Sequence, residues 1–186
     1  MHLKPTLITA GIALVSAFSA FAEVGGGYAG NGLTGEYFAN ASLSGSPAFT
    51  RRELRLDFDW GTVLPVGGSN DPRYQAVPTD NFSARYTGKI IAAFSETYTF
   101  KLVANDGARL FIRPEGGSSW TTLIDQWTAS GTYTATSALV KGTRYEIKVE
   151  YRELTGAAAL RLLWSSPSTA EEVIEPTMNH GFNVNF

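Results

Sequence analysis

The stretch RYEIKVEYRE, residues 144–153, decides the fold class. In it Tyr145, Ile147, Val149 and Tyr151 alternate with Arg144, Glu146, Lys148, Glu150 and Arg152. Side chains on an extended chain point to opposite faces in turn, so this alternation makes one apolar and one charged face. A helix would need its apolar residues three and four apart. The run is therefore a strand, half in a core and half in water. Working outward, ETYTFKLVA (96–104) repeats the pattern, with Tyr98, Phe100 and Leu102 opposite Thr97, Thr99 and Lys101. AALRLLW (158–164) sets Leu160, Leu162 and Trp164 against Arg161. RRELRLDFDW (51–60) alternates Leu54, Leu56, Phe58 and Trp60 with Glu53, Arg55, Asp57 and Asp59, and is expected to form one half-buried strand. FSARYTGKI (82–90), ARLFIRP (108–114), WTTLIDQ (120–126) and TYTATSALV (132–140) complete about nine short runs separated by turn residues. No segment sustains helical periodicity. The pattern predicts an all-β, antiparallel sandwich or partly closed barrel, and the missing helices exclude a parallel βαβ sheet.

The ends and the composition bound the rest. Residues 6–22 (TLITAGIALVSAFSAFA) are apolar, follow Lys4 and close on Ala20-Phe21-Ala22, which is the pattern of a cleaved export signal over 1–22. The run is shorter than a spanning helix needs, and no later apolar stretch is long enough to cross a membrane. Residues 23–32 (EVGGGYAGNG) form a glycine-rich linker, 33–176 the single β domain, and 177–186 (TMNHGFNVNF) a short tail. The loop 61–77 is long and rich in Gly and Pro. With no cysteine there is neither a disulfide framework nor a thiolate metal site. A net charge of −2 without a basic cluster argues against nucleic acid as a partner. The expected setting is secreted, periplasmic or cell-surface.

The order of motifs resembles one family. GLTGEYFANASLSGSPAF (32–49), LDFDWG (56–61), DNFSARYTGKI (80–90) and ETYTFKLVANDGARLFI (96–112) come first; LIDQW (123–127), KGTRYEIKVEYRE (141–153), AALRLLWSSPS (158–168) and EVIEP (172–176) follow. Together they look like the PA-fourteen domain, named after the anthrax protective antigen, over Leu33 to Pro176. The resemblance implies a compact antiparallel β-barrel or sandwich serving as an accessory module of glycosidases, proteases, adhesins, toxins or signalling proteins. It also implies carbohydrate binding, which depends on calcium in some adhesins.

Asn105-Asp106-Gly107 is the first candidate site. On residue chemistry alone it is a turn: Asn and Asp cap turns with their side chains, and Gly is at ease there. By resemblance it is a calcium and ligand loop, where adhesin members carry two adjacent aspartates joined by a cis peptide. Asn105 replaces the first of these, which removes one charge from the set. The partner loop implied by the family falls at 151–156 (YRELTG), where Glu153 either restores that charge or is a solvated turn carboxylate. The metal set is then Asn105, Asp106 and Glu153, and the ligand set adds Gly107, Asp125, Gln126 and Trp127. Trp127 is the ligand-facing tryptophan favoured for stacking on a sugar, ahead of Trp120; Trp60 and Trp164 close apolar faces and belong to the core.

Catalysis finds little support in the residues. Asp57 and Asp59 share one face of a strand and point out in parallel rather than across a cleft. Asp80 reads as a turn residue. The two histidines are His2, in the expected signal, and His180, in the tail, so a Ser-His-Asp triad or a histidine zinc site has no histidine inside the domain. The expectation is an exported, non-catalytic module that binds a glycan, with calcium as the cofactor the family suggests. The alternatives are a structural or protein-interaction domain of the surface or envelope, and an accessory fragment of a larger glycoside hydrolase or adhesin.

Overall fold

The structure is a computed structural model that describes residues 32–65, 72 and 74–176. The expected export signal (1–22), the linker up to residue 31, the tail with His180 and the middle of the 61–77 loop lie outside the described residues. Eleven strands are described: β1 Leu33–Phe38, β2 Phe49–Glu53, β3 Asp57–Gly61, β4 Phe82–Ile91, β5 Glu96–Asn105, β6 Gly107–Pro114, β7 Thr121–Gln126, β8 Gly131–Leu139, β9 Arg144–Glu153, β10 Ala158–Ser166 and β11 Thr169–Val173. Six of them form one sheet in the order β2-β1-β4-β9-β6-β7, and the other five form a second, β11-β10-β5-β8, with β3 also paired to β10. All these pairings are antiparallel. The fold is the all-β antiparallel sandwich that the alternation predicts.

The apolar parity of each strand faces the space between the sheets. Tyr37, Phe82, Tyr86, Tyr98, Phe100 and Tyr151 are fully enclosed there. Burying an aromatic of this size contributes roughly 1.5–3 kcal/mol each, so these rings dominate the core. Trp60 and Trp164 are buried as expected, Trp60 stacked on Phe58 at 4.6 Å and Trp164 against Tyr98 at 4.9 Å.

The 51–60 run departs from its prediction. It is two strands broken at 54–56, one in each sheet: β2 pairs with β1 and β3 with β10. Leu54 is 71% exposed at the break, and Leu56 is buried with its carbonyl accepting the Leu162 amide at 3.0 Å. On β2 the inward parity is Phe49, Arg51 and Glu53, so Glu53 is buried. Its carboxylate takes hydrogen bonds from the Tyr37 hydroxyl and the Arg51 guanidinium, which offset the cost of burying the charge. Alternation continued across a change of sheet, and period two alone cannot register such a change.

Four connections gather at one end of the sandwich: β3 to β4, β5 to β6, β7 to β8, and β9 to β10 each pass there from one sheet to the other. That end carries the candidate residues.

Candidate functional site

The β5–β6 connection is a single residue, Asp106, at φ 63°. Among non-glycine residues Asp and Asn tolerate this left-handed conformation best, and here it turns the chain from one sheet to the other. Gly107 is required next to it for space rather than for φ. A Cβ on Gly107 would lie 1.9 Å from the Trp127 carbonyl oxygen. The 105–107 turn is thus pressed against the end of β7, which brings Asp125, Gln126 and Trp127 to the same corner.

The third predicted segment closes on the other side. Asp106 Oδ2 accepts the Leu154 amide at 2.6 Å and the Thr155 amide at 3.4 Å. Asn105 Nδ2 donates to the Ala157 carbonyl, and Asn105 Oδ1 accepts both the Asp106 amide and the Ser130 hydroxyl at 3.1 Å. Asp80 joins from the loop before β4, its Oδ1 accepting the Gly156 amide at 2.9 Å. Asp80 is therefore more than the turn residue its sequence suggests: it is part of the clamp. The three predicted loops converge: the Asp106 side chain ties the first to the third across about fifty residues of sequence, and the second is packed against Gly107.

Glu153 is not a solvated turn carboxylate. It stands at the end of β9 on the parity of Tyr145–Tyr151 and is fully buried. The signal was present in the sequence, because Glu153 continues the apolar register of RYEIKVEYRE. Its Oε2 lies 2.7 Å from the Tyr151 hydroxyl, which is also 2.7 Å from the Asn105 carbonyl. Its Oε1 is buried without a hydrogen-bond partner. Burial pushes the Glu153 carboxyl up to about 7; the Tyr151 hydrogen bond works the other way, and the Asp106 and Asp80 charges add to the rise. Burial and two neighbouring carboxylates thus favour the protonated acid. A protonated Glu153 also completes the proton count, since the one hydroxyl proton of Tyr151 cannot serve two acceptors.

The oxygens that the resemblance assigns to calcium are largely engaged within the protein. Asn105 has its side-chain oxygen and nitrogen engaged, Asp106 and Asp80 each commit an oxygen to loop amides, and Glu153 sits beneath them. Among the described residues no three acidic or histidine side chains are grouped to hold a metal ion. The 105–106 peptide bond is trans.

Toward solvent the corner is polar and aromatic. Asp125 and Gln126 are exposed, with Asp125 bound to Arg109 Nε at 2.9 Å. Trp127 is half-buried, with the Arg109 guanidinium 4.4 Å and that of Arg152 5.2 Å from its ring centre. Cations over an indole gain about 0.5–2 kcal/mol, and they hold the ring in one orientation. Trp120 lies at the opposite end of the sheet, beside Arg113, and is not part of this corner. Asp57 and Asp59 are exposed on one face of β3, Asp57 paired with Arg161 at 2.7 Å.

Comparison with known proteins agrees with this fold. The chain is 37% identical over 147 residues to the anti-sigma-I factor RsgI3 of Acetivibrio thermocellus, a match covering 78% of this chain and 20% of that protein. A solved anti-sigma factor domain-containing protein superposes with TM-score 0.66 at 37% identity, over 80% of this chain and 46% of that one. A second, from Clostridium clariflavum, gives 0.64 at 33% identity, over 78% and 45%. This chain thus spans about a fifth of the curated relative and under half of each of these solved chains. The fold is shared with a PA14 sugar-binding domain from an RTX adhesin, at TM-score 0.55 and 21% identity, over 77% of this chain and 94% of that one. The family model of the PA14 domain matches residues 30–177, and the chain belongs to that family.

Proposed function

We propose that this chain is an exported, non-catalytic carbohydrate-binding module whose ligand meets the corner formed by 105–107, 125–127 and 153–156. The observation that carries the reading is the convergence of these three segments, the first and third fastened by Asp106, Asp80 and Asn105 and the second packed on Gly107. The clamp fixes the loops in advance, so a ligand does not have to order them on binding. The exposed edge of Trp127 supplies apolar contact for a sugar ring, and Gln126 and the 154–156 loop supply polar contacts beside it. The fold shared with a PA14 sugar-binding domain supports this reading.

The test is retention on immobilised polysaccharides with free sugar as competitor. Gln126→Ala should lower retention several-fold and Trp127→Ala about tenfold, with melting temperatures recorded to separate binding from unfolding. If neither substitution changes retention in a folded protein, the corner is not the binding site. Burial pushes the Glu153 carboxyl up to about 7, so below that pH a proton competes with a metal there, and in mildly acidic buffer chelator should leave retention and melting temperature unchanged. A calcium-induced rise in melting temperature that Asp106→Ala abolishes would overturn the metal-free form of the proposal and install calcium as the cofactor.

A second reading rests on the relatives at 37% and 33% identity, which are anti-sigma factor proteins. In it the module belongs to a regulatory protein and contacts a protein partner. Binding of that kind would be indifferent to free sugar.

A further inference from the structure

The two sheets have four edges, and three of them carry features that keep a sheet from pairing with a neighbour. The β2 edge is five residues long and holds Arg51, Arg52 and Glu53. The β7 edge carries Asp125 and a bulge, with Leu123 the extra residue between the Leu110–Ile124 and Phe111–Thr122 pairs. On the side of β10 away from β5 lie β3, with Asp57 and Asp59, and β11, five residues with Glu171 and Glu172. Charge, a bulge and shortness each oppose the addition of another strand.

The β8 edge has none of these. Its nine residues, GTYTATSAL, include no charge and no proline. It pairs with β5 through nine consecutive positions without a shift, from Glu96–Leu139 to Ala104–Gly131. Among the described residues β5 is the only strand hydrogen-bonded to it, so the other side of a strand roughly 30 Å long is unpaired. The strand runs on into Val140, which is 56% exposed. Its inward side is also incompletely covered. Tyr133 and Ala135 pack on the core yet stay half-buried, as does Ser137, and only Leu139 is enclosed. A further strand at this edge would pair the free backbone groups and cover those side chains.

We propose that β8 pairs antiparallel with β8 of a second copy of this chain, joining the two five-stranded sheets across a twofold axis. The strand is matched to itself. In an antiparallel self-pair a charge near the centre would meet its like, and residues 131–140 carry none. Residues opposite one another keep the same parity. With Ala135 on the axis, Thr134 stands opposite Thr136 on the outer face, where hydroxyls hydrogen-bond across strands, and Tyr133 stands opposite Ser137 on the inner face. A twofold contact of this kind uses up both free edges, so it stops at a dimer. The candidate corner adjoins the start of β8, where the Ser130 hydroxyl meets Asn105. The self-pair therefore sets the two corners at opposite ends, and such a dimer would bridge two ligand chains rather than grip one twice. That consequence rests on the corner reading; the pairing itself does not.

Sedimentation of the folded chain from about 10 µM to about 1 mM should show monomer passing into dimer and no larger species. Thr134→Lys with Thr136→Lys, both exposed on the outer face, should weaken the dimer about tenfold or more, and Thr134→Glu with Thr136→Glu should do the same. An equal mixture of the basic and the acidic variant should dimerise at lower concentration than either alone, a gain that only a β8-to-β8 contact gives. Melting temperatures identify the folded variants. Thr134 lies opposite Lys101, so if the basic pair unfolds, the acidic pair, with a glutamate beside that lysine, still carries the test. A folded chain that stays monomeric over the whole range would overturn the proposal and leave the corner reading untouched. So would a dimer that the charged variants leave intact, since its contact would lie elsewhere. Mixing that gains nothing over the separate variants would also overturn it, by assigning β8 to a different surface of the second copy.

Discussion

Strand β9 runs from the outer face of the six-stranded sheet into the corner, and two of its glutamates show how differently these two regions are built. Glu150 and Glu153 are buried to nearly the same degree, 7% and 0% exposed, and stand three residues apart. Three residues on a strand is an odd step, so one faces out and the other in. Glu150 sits on the outer face among Arg85, Arg109 and Lys148, all within 3.9 Å. Glu153 lies under the corner with Asp106 and Asp80 for neighbours and Tyr151 for its hydrogen bond. Burial alone therefore does not decide what a carboxylate does; the charges around it do. The outer face is an ionic lattice whose charges close on one another. The corner is an acidic clamp held together by hydrogen bonds and a proton.

The largest expected effect separates the two regions by breaking only one. Gly107→Ala forces a methyl group onto the Trp127 carbonyl, a backbone atom that cannot swing aside. The cost should be about 3 kcal/mol, as for a severe overpacking, and the melting temperature should fall by roughly 10 °C. Ligand retention through the corner should be lost with it. A thermal melt of the variant within about 1 °C of the parent would show that the turn and β7 are not in fact pressed together.

A smaller effect is expected from the lattice. Glu150→Gln keeps the shape but leaves Arg85 and Arg109 without their shared carboxylate. Both arginine side chains are about 30% exposed, so water compensates in part, and the loss should be about 1–2 kcal/mol by urea denaturation. Combined with Arg85→Gln, the double variant should lose less than the sum of the two single losses. Additive losses would mean that the lattice is only a row of independent surface charges.

How much of this was legible in the sequence follows the same division. The core was, because alternation in 96–104, 144–153 and 158–164 places Tyr98, Phe100, Ile147, Val149, Leu160 and Leu162 where the structure buries them. The break at 54–56 was not, because Leu54 and Leu56 keep period two while the chain changes sheets. The positions of 105–107, 125–127 and Glu153 at one end were legible through the family resemblance, while the burial of Glu153 was written in the parity of its own strand. Asp80 was missed because its partner, the Gly156 amide, is 76 residues away. The ionic lattice was missed for a related reason: Arg85, Glu150 and Arg109 sit on three strands, and only the register sets them side by side.

The smallest effect tests the proton itself. Glu153 holds its proton up to about pH 7 in the folded chain, whereas an unfolded glutamate releases it near 4.5. The folded state thus binds more protons than the unfolded state between those values, so this group's stabilisation is complete below pH 4.5 and lost as pH rises through 7. Glu153→Gln has no proton to lose and offers an amide where the acid offered its O–H. At pH 5 parent and variant should match closely in urea denaturation. By pH 8 the variant should be ahead by about 1 kcal/mol, since only the parent then carries a buried negative charge, next to the half-buried Asp106 and Asp80. If the two stability curves instead run parallel from pH 5 to pH 8, Glu153 is ionised throughout. The acidic clamp would then need a cation after all, and the contrast with Glu150 would shrink to a choice between two kinds of positive partner.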